Sequence, residues 1–224
     1  YEVIIADDGS TQETKDLVNS FINHHKIKII YSWQEDQGFR ASRSRNQAIL
    51  KSSGDYIVLI DGDTILHQNF IKDHIKQSEL GYFVQGSRVL LSKKQTQKTL
   101  NSKKVTFQFF ASALKNRKNA IHSNFLSFIF SNKKNYLHGV KSCNMGFYKE
   151  DCIKINGFNN DFEGWGREDT DFVVRMINSG INRKNVRFNA IQFHLWHNEN
   201  SRKSLPKNNR ILEQAINKSS SWCE

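Results

Sequence analysis

Proline and cysteine are both scarce in this chain of 224 residues, which contains one proline and three cysteines. The cysteines (Cys143, Cys152 and Cys223) lack C-x-x-C spacing and are odd in number, which argues against a disulfide framework and against a cysteine zinc site. The same pattern favours a reducing, cytoplasmic environment. With 38% hydrophobic residues, the composition is that of a folded globular protein, and the length suits a single domain, residues 1–224.

Long apolar runs are also lacking. No stretch of about 18 apolar residues occurs, so the sequence predicts no membrane-spanning helix. No charged-then-apolar leader marks a secretory signal at the start. The chain opens at Tyr1, without Met, inside a predicted strand, and we expect the first elements of the domain to be missing.

Acidic residues are absent from a long central stretch. None occurs between Glu79 and Glu150, where thirteen lysines and arginines lie, and the whole chain has a net charge of +11. Such a field attracts phosphate groups, whether of a nucleotide, a nucleic acid or anionic lipids.

Strand and helix patterns alternate along the first third of the chain. Apolar runs predict strands at 1–6, 27–31 and 56–60, and helical stripes predict helices at 11–24 and 41–52. This order predicts an α/β fold with a mainly parallel central sheet flanked by helices. Such sheets bind ligands beyond the carboxyl ends of their strands.

Further elements are predicted downstream. We expect a helix at 70–80, a strand at 82–89, a helix at 168–178 and a last strand at 187–196. In the basic segment, Phe107, Phe110 and Leu114 have helical spacing, and an apolar run follows at 125–130. These patterns predict an extra helical pair, which makes 93–135 a basic helical insert.

Two acidic pairs come directly after predicted strands. Asp61 and Asp63 flank a glycine, and carboxylates at this spacing can approach one divalent cation and the ribose or phosphate beside it. Asp7 and Asp8 can accept hydrogen bonds from a uracil or a ribose. A solvated turn or a helix cap explains either pair alone, whereas two acidic strand ends in one sheet favour a shared site.

Residues 38–46 open a helix with three arginines. A helix N-terminus with guanidinium groups suits a diphosphate, and a solvated basic first turn is the alternative. Arg43 and Arg45 cannot both face the same way on a helix, so one of them has only a structural role.

Residues 164–171 (Gly-Trp-Gly-Arg-Glu-Asp-Thr-Asp) gather three acids at a helix start, where the helix dipole keeps carboxylates ionised. An ionised carboxylate beside an aromatic platform suits a general base that takes a proton from a sugar hydroxyl. Trp165 lies between two glycines and can stack on a sugar face. Ordinary helix capping is the alternative, and Asp171 is the member most suited to a purely structural role.

His194 and His197 lie at the end of the last predicted strand. Positions three apart on a strand face opposite sides, so the two are not an obvious zinc pair. One histidine joining Asp63 on a metal ion is the interpretation that fits best with the acidic strand ends.

With these segments the chain resembles glycosyltransferase family 2 of the GT-A nucleotide-sugar fold. The matching residues are 3–10, 38–46 and 56–63, and the segment 144–176 is similar to the C-terminal half of the β-1,4-galactosyltransferase and chondroitin-polymerase relatives. The resemblance covers most of the chain except 93–135, for which the family has no counterpart. The family begins with a strand and a helix that contact the base, and they have no match here.

The resemblance implies a role for each site residue. Asp7, Asp8, Arg45 and Asp61 would bind the donor. Asp63 and His197 would bind Mn²⁺ (or Mg²⁺), with His194 as the substitute for His197. Asp169 would be the catalytic base, and Trp165 and Glu168 would bind the acceptor. The implied reaction is an inverting, metal-dependent hexosyl transfer from a UDP-sugar, of the galactose or N-acetylhexosamine type, to a glycan or lipid-linked glycan hydroxyl. The expected setting is bacterial surface polysaccharide or lipopolysaccharide synthesis.

Rival functions remain open at this point. A nucleic-acid-binding module would explain the basic segment but not the acidic strand ends, which repel phosphate backbones, so no nucleic acid is expected. A catalytically inactive nucleotide-sugar binder would keep the same pocket. A nucleotidyltransferase also uses paired acids on a metal, but the acidic helix start beside Trp165 fits a sugar acceptor better.

The basic insert has two interpretations. Basic residues around phenylalanine-bearing helices suit peripheral attachment to an anionic membrane, which would place the protein at the cytoplasmic face of the inner membrane. Alternatively, the insert is a solvated lid whose phenylalanines pack on the core.

Overall fold

A computed structural model of the chain describes residues 1–103, 105, 107, 114–198 and 201–223. Its strands are β1 (Glu2–Asp8), β2 (Lys28–Gln34), β3 (Tyr56–Ile60), β4 (Thr64–Leu66), β5 (Tyr82–Gln85), β6 (Ser87–Leu91), β7 (Leu114–Lys115), β8 (Asn132–Lys133), β9 (Asn144–Tyr148), β10 (Asn182–Asn185) and β11 (Ile191–His194). Its helices are α1 (Gln12–His24), α2 (Ala41–Lys51), α3 (Phe70–Gln77), α4 (Lys93–Ser102), α5 (Asn124–Phe130), α6 (Lys149–Lys154), α7 (Glu168–Asn178) and α8 (Leu205–Asn217). The α/β class is confirmed.

The chain divides into two compact units. The first unit comprises Tyr1–Ile57, Tyr148–Ser179 and Asn200–Glu224, and the second comprises Val58–Phe147 and Gly180–Glu199. Each unit is assembled from separate pieces of the chain, which the local periodicity of a sequence does not reveal.

In the first unit, β1 and β2 pair in parallel, with Glu2 opposite Lys28 and Asp8 opposite Gln34. The connecting helix α1 begins after Thr11, as predicted, although the Thr11 side chain makes no capping hydrogen bond. Helix α2 packs on both strands and buries Ala48 and Ile49. The carboxyl ends of the two strands therefore lie side by side, as parallel pairing requires.

Helices α7 and α8 pack together in the same unit. Helix α7 buries every residue from Asp171 to Met176, and its Phe172 ring stacks on Phe158 with centroids 4.2 Å apart. Helix α8 was not predicted from the sequence. Its amphipathic pattern, with Leu212 and Ala215 buried, is short and begins near a proline that fits the first turn of a helix.

In the second unit the strands pair both ways. Strand order is β3-β9-β5-β10-β8 in one sheet and β4-β11-β6-β7 in the other. Strand β10 is parallel to β5 and β11 is parallel to β6, whereas β4, β7, β8 and β9 add antiparallel pairs. Both sheets are therefore mixed, whereas the sequence predicted a mainly parallel sheet. Antiparallel pairing arises because several short strands are not preceded by the helical crossover that parallel pairing requires.

The predicted strand 82–89 is interrupted at Gly86. A Cβ at this position would lie 2.3 Å from Asn144 Oδ1, so the buried Asn144 side chain occupies the space that any side chain at position 86 would need. Asn144 Nδ2 donates to the carbonyls of Ser87 (2.9 Å) and Ala190 (2.7 Å), and Asn144 Oδ1 accepts from His74 Nε2 at 2.9 Å. One buried amide thus links three segments of the second unit.

The basic insert differs from the predicted helical pair. Leu114 lies on β7, opposite Leu91 of β6, instead of on a helix. Phe107 lies outside helices and packs on Phe193 with ring centroids 4.4 Å apart, and Phe110 falls outside the described residues. The second predicted helix is present as α5. Helix α4 was not predicted because it is polar, and Ser92 caps it by accepting from the Gln95 N–H at 3.2 Å.

Among the helices of the described ranges, none combines the length and the apolar character that a membrane crossing requires.

Candidate functional site

Asp7 ends β1 with both carboxylate oxygens engaged. Oδ1 accepts the Ser10 N–H at 2.8 Å and Oδ2 accepts the Tyr31 hydroxyl at 2.5 Å. Burial alone would raise the pKa of Asp7, but these hydrogen bonds outweigh it and lower the pKa below its usual value. Asp7 is therefore an ionised and firmly oriented acceptor, and it also stabilises the turn after β1.

Asp8 fixes the loop that opens α2. Its oxygens accept from Gln34 Nε2 and from the Arg40 N–H, both at 2.5 Å. Gly9 between the two segments has a φ of +96°, and a Cβ there would lie 2.4 Å from the Asp36 backbone. The close approach of the two backbones therefore requires glycine.

The arginines of α2 separate as the helical spacing predicts. Arg43 is exposed, whereas the half-buried Arg45 donates from Nη1 to Glu168 Oε1 at 3.1 Å and lies 5.4 Å from the centre of the Phe158 ring. Arg45, expected to assist the nucleotide, thus meets Glu168, expected to position the acceptor. The other Glu168 oxygen, Oε2, is buried and has no protein partner.

The loop before α7 has an unusual backbone. Gly164, Gly166 and Arg167 have φ values of +71°, +103° and +80°. The Gly164 N–H donates to the Phe39 carbonyl at 2.8 Å, and a Cβ on Gly164 would lie 2.0 Å from Ser204 Oγ. This packing presents Trp165 at the surface with 40% of its area exposed, as a sugar-stacking platform requires.

Asp169 is half-buried in the first turn of α7. Burial raises its pKa to about 6, and the negative charge of Glu168 adds to this, while Arg45 and hydrogen bonds from Thr170 act in the opposite direction. The helix dipole alone predicted fully ionised carboxylates here. Burial overrides it, and the resulting pKa suits a group that accepts a proton near neutral pH.

Asp171 has the structural role that the sequence suggested. Its Oδ2 accepts from Arg175 Nε at 2.9 Å, and both side chains are almost fully buried. Arg175 Nη1 also donates to the Ile155 carbonyl at 2.7 Å. Asp171 therefore anchors α7 and is not available to a ligand.

In the second unit, Asp63, His194 and His197 come together. Asp63 Oδ2 lies 3.3 Å from His194 Nε2 and 3.1 Å from His197 Nε2, and the ligand atoms of all three lie within 4.8 Å of one another. The strand-based expectation that only one histidine reaches Asp63 is not met. Strand β11 ends at His194, so His197 lies beyond it and is free of the alternation that separates side chains on a strand.

This donor set fits a divalent transition-metal ion. Asp63 Oδ1 is buried and has no hydrogen-bond partner among the residues that the structure describes, although a carboxylate oxygen removed from water needs one. Burial lowers the pKa of His194, and the charges of Arg88 and His197 add to this against the effect of Asp63, which keeps the ring neutral as ligation requires. Two imidazoles and a carboxylate suit Mn²⁺ better than Mg²⁺, which prefers oxygen ligands.

Asp61 and Arg88 lie near the same group. The Asp61 carbonyl accepts from Thr64 Oγ1 at 2.7 Å, and the Asp61 charge acts on His194 and on the buried Cys143 thiol, whose pKa is raised mainly by burial. Arg88 also acts on both groups. The sequence did not single out Arg88, because it is one of many basic residues and only the pairing of β6 with β11 brings it here.

A second histidine group, His67, Asp73 and His122, also has metal-type residues. Asp73 already accepts from the Ala190 N–H (3.0 Å), from Asn189 Nδ2 (3.1 Å) and from His122 Nε2 (3.0 Å). His67 Nδ1 accepts the Asn69 N–H at 3.2 Å, which leaves the proton of the neutral ring on Nε2. Because the carboxylate is satisfied and the outer nitrogen is protonated, we assign this group a structural role.

Comparison with known proteins places this geometry in a family. The family described as glycosyl transferase family 2 matches residues 1–148, and the one described as N-terminal domain of galactosyltransferase matches residues 126–198. The α/β fold, with sheets flanked by helices, is that of the GT-A glycosyltransferases. The chain belongs to glycosyl transferase family 2.

Curated relatives match parts of longer proteins. Chondroitin synthase of Escherichia coli is 24% identical over 210 residues, which is 87% of this chain and 30% of that protein. Hyaluronan synthase of Pasteurella multocida is 31% identical over 77 residues, which is 34% of this chain and 8% of that protein. The chain therefore spans less than a third of the length of either relative.

Solved structures share the fold at low identity. GalNAc-T7, solved with UDP, GalNAc and Mn²⁺, has a TM-score of 0.65 at 11% identity, covering 95% of this chain and 41% of that one. TarS of S. aureus, solved with UDP, has a TM-score of 0.60 at 13% identity, covering 97% of this chain and 55% of that one.

Proposed function

We propose that this chain is an inverting, metal-dependent hexosyltransferase that moves a sugar from a UDP-sugar to a glycan hydroxyl. The observation that carries the proposal is the meeting of His194 and His197 on Asp63, with one buried Asp63 oxygen left without a partner. This group supplies ligands for a cation at the end of the Asp-Gly-Asp turn, as diphosphate donors require.

Donor binding is assigned to Asp7, Asp8, Arg45 and Asp61. Asp7 and Asp8 accept hydrogen bonds from the uracil and ribose, because their carboxylates are held in place at the end of β1. Arg45 assists the nucleotide, and Asp61 contacts the ribose or a water on the metal. The UDP complexes of GalNAc-T7 and TarS support uridine diphosphate as the carrier.

Metal binding is assigned to Asp63, His194 and His197. When bound, Mn²⁺ supplies positive charge that neutralises the nucleoside diphosphate leaving group. The imidazoles of His194 and His197 and the carboxylate of Asp63 would hold the ion. The Mn²⁺ in the GalNAc-T7 structure supports the choice of ion.

The chemical step is assigned to Asp169. Its carboxylate removes the proton from the acceptor hydroxyl, whose oxygen then attacks the anomeric carbon in line, while Trp165 stacks on the acceptor sugar and Glu168 hydrogen-bonds to it. One base and one displacement invert the anomeric configuration. The raised pKa of Asp169 supports this role, because a base with a pKa near 6 takes up the proton more readily than an ordinary aspartate.

The biological setting belongs to the same proposal. The galactose or N-acetylhexosamine type of donor and a bacterial surface polysaccharide or lipopolysaccharide product are supported by the galactosyltransferase match and by the chondroitin and hyaluronan synthases among the relatives. We propose a cytoplasmic protein that contacts an anionic membrane and uses a glycan or lipid-linked glycan acceptor. We also propose that residues 1–224 function as one catalytic domain.

The test is UDP release from a panel of UDP-sugars, with Mn²⁺ or EDTA and with or without sugar acceptors. Wild type should turn over one donor in Mn²⁺ only, and Asp169→Asn should lose at least about a thousandfold in kcat while it still binds that donor. The substitution removes a charge that burial disfavours, so Asp169→Asn should be at least as stable as wild type. A loss of activity in this variant would then not be due to unfolding.

The other outcomes identify the rivals. Metal-dependent binding of a UDP-sugar without turnover, across a broad acceptor panel, would indicate an inactive nucleotide-sugar binder. No binding of any nucleotide sugar, together with tight binding of an oligonucleotide, would reject the proposal in favour of a nucleic-acid-binding module.

A further inference from the structure

Helix α5 buries a polar residue and exposes its apolar residues, which is the reverse of an ordinary surface helix. Its buried residue is Ser127, whereas Phe125 and Phe128 expose 71% and 88% of their area, and Ile129 exposes 51%. A surface helix of a globular protein turns its apolar stripe inward, because burial of apolar area is what stabilises it. Within the described residues, nothing covers this face.

Polar contacts hold the helix in this orientation. Ser123 Oγ accepts the Leu126 N–H at 3.2 Å, and the Ser123 N–H donates to the Phe188 carbonyl at 2.9 Å. Ser127 Oγ lies 3.2 Å from Ser131 Oγ, which also accepts the Arg187 N–H at 3.1 Å. Both ends are anchored by hydroxyls on the inward side, so the exposed phenylalanines are presented by a fixed helix.

The phenylalanines of the insert therefore divide into two kinds. Phe107 packs on Phe193 in the core, as the lid interpretation requires. Phe130 lies against Phe188 with ring centroids 5.6 Å apart, at the edge of the exposed face. Phe125 and Phe128 have no such place in the core, and a second function must account for them.

Basic residues predominate in the segments that flank α5. Exposed basic side chains lie within about ten residues of α5 along the chain, and one more follows the end of β10. They are Lys115, Arg117, Lys118, Lys133, Lys134 and Arg187. No acidic residue occurs between Glu79 and Glu150, and the acidic group that pairs with one of these residues is Glu79, with Lys133 at 2.5 Å.

We propose that α5 is a wedge that inserts into the surface of an anionic lipid bilayer. Phenylalanine and isoleucine side chains enter the boundary between headgroups and acyl chains, and the basic residues contact the headgroups. A second copy of the chain would oppose two positively charged faces, which like-charge repulsion disfavours. The inference rests on the proposed function in one respect: membrane docking would give the transferase access to a lipid-linked acceptor.

The experiment is flotation of the protein with vesicles made of equal parts phosphatidylcholine and phosphatidylglycerol, compared with pure phosphatidylcholine. Wild type should float with the anionic vesicles alone, and Phe125→Ser with Phe128→Ser should reduce the partition coefficient at least about tenfold. The matched control is Leu17→Ser with Leu50→Ser, which removes exposed apolar side chains from the first unit and should leave flotation unchanged. Combined charge reversal at Lys115, Arg117 and Lys118 should reduce partition by a similar factor.

Folding of the serine variant is checked by its thermal midpoint, which should equal that of wild type. If the serine variant fails to fold, Phe128→Trp is used in its place. Brominated lipids should then quench the tryptophan fluorescence of this variant more than that of wild type, because residue 128 enters the bilayer. Wild type that does not float, or variants that float equally well, would overturn the proposal. So would sedimentation showing a dimer that the serine variant dissolves, or oligonucleotide binding that it abolishes. None of these results requires turnover, so they are independent of the transferase activity.

Discussion

Arg45 Nη1 donates to Glu168 Oε1 at 3.1 Å, and both side chains are mostly removed from solvent. The pair joins two residues that lie 123 positions apart in the chain. It also sets the charge beside Asp169, because the Glu168 carboxylate raises the pKa of Asp169 while the Arg45 guanidinium lowers it. The proposed base is therefore tuned by a neighbouring ion pair, and each partner acts in the opposite direction.

The first prediction is that the two partners shift the pH dependence of activity in opposite directions. A base works in its ionised form, so kcat/KM should rise as pH increases through about 6 in wild type. Glu168→Gln removes a negative neighbour and should move this limb to lower pH by roughly one unit. Arg45→Gln removes a positive neighbour and should move it to higher pH.

The measurement is the pH profile of kcat/KM at fixed Mn²⁺, with donor binding followed separately at each pH. Asp171→Asn is not a suitable control, because Asp171 holds the buried Arg175. Glu163→Gln is suitable, since Glu163 is exposed and pairs only at the surface with Lys207. If the pH at which kcat/KM rises shifted in the same direction in Glu168→Gln and Arg45→Gln, the two charges would not set the pKa of Asp169 in opposite directions.

The second prediction concerns metal binding. Mn²⁺ at a hundred times its dissociation constant should stabilise wild type by about 2.7 kcal/mol, which is measurable as a rise in the thermal midpoint. Asp63→Ala should abolish this rise. His194→Ala and His197→Ala should each weaken Mn²⁺ affinity about tenfold or more, because both rings contact Asp63.

His24→Ala is the matched control for the histidine variants. His24 is exposed near the end of α1, where its Nδ1 contacts the Ser20 carbonyl, and its loss should leave the Mn²⁺ response intact. A normal response in His194→Ala together with none in His197→Ala would restore the single-histidine site that the sequence suggested.

The sequence predicted several regular elements well, because each of them carries its own local signal. The strand 56–60 and the helices 41–52 and 168–178 agree with β3, α2 and α7 to within a residue. Ala48 and Ile49 are buried as their helical spacing predicted. Local periodicity is set by burial on one face, so it survives without knowledge of the rest of the fold.

Features that depend on distant partners could not be predicted. The need for glycine at position 86 comes from the side chain of Asn144, and the presence of both histidines beside Asp63 depends on where β11 stops. The raised pKa of Asp169 arises from packing around α7, which the local dipole argument omits. The reversed polarity of α5 has the same origin, because only the packed structure shows which side of a short apolar helix faces inward.

The third prediction compares two glycines with positive φ. Gly164 and Gly180 have φ values of +71° and +88°, but a Cβ on Gly164 would lie 2.0 Å from Ser204 Oγ, whereas a Cβ on Gly180 meets nothing within 4 Å. Gly180→Ala should cost about 1 kcal/mol of unfolding free energy from backbone strain alone. Gly164→Ala should cost more, by about 1–2 kcal/mol, because Ser204 must also move.

The same variants test the sugar platform. Displacement of the loop carrying Trp165 should raise the acceptor KM in Gly164→Ala, with little change in donor binding, while Gly180→Ala should change neither. Urea denaturation and acceptor kinetics on both proteins provide the measurements. Equal stability and equal acceptor KM in the two variants would show that Ser204 yields freely and that the loop does not position Trp165.

The last prediction separates a buried charge network from an exposed one. Asp73→Ala leaves the Ala190 N–H without its acceptor and removes the partner of His122. It also removes one acceptor of Asn189 Nδ2, which still donates to Asn124 Oδ1 at 3.1 Å. Because unsatisfied buried donors carry a large penalty, the unfolding free energy should fall by about 3 kcal/mol. Glu163→Ala breaks only the exposed pair with Lys207, and should change stability by less than about 0.5 kcal/mol.

Urea denaturation of the two variants, each with Zn²⁺ and with EDTA, provides the comparison. The metal test uses the Asp63→Ala variant, in which the proposed Mn²⁺ site has been removed. If His67, Asp73 and His122 form a structural network, neither Zn²⁺ nor EDTA should change the stability of this variant. Stabilisation of that variant by Zn²⁺, lost when His67→Ala is added, would show instead that His67, Asp73 and His122 hold a metal ion. The satisfied hydrogen bonds of Asp73 and the protonated outer nitrogen of His67 lead us to expect no such stabilisation.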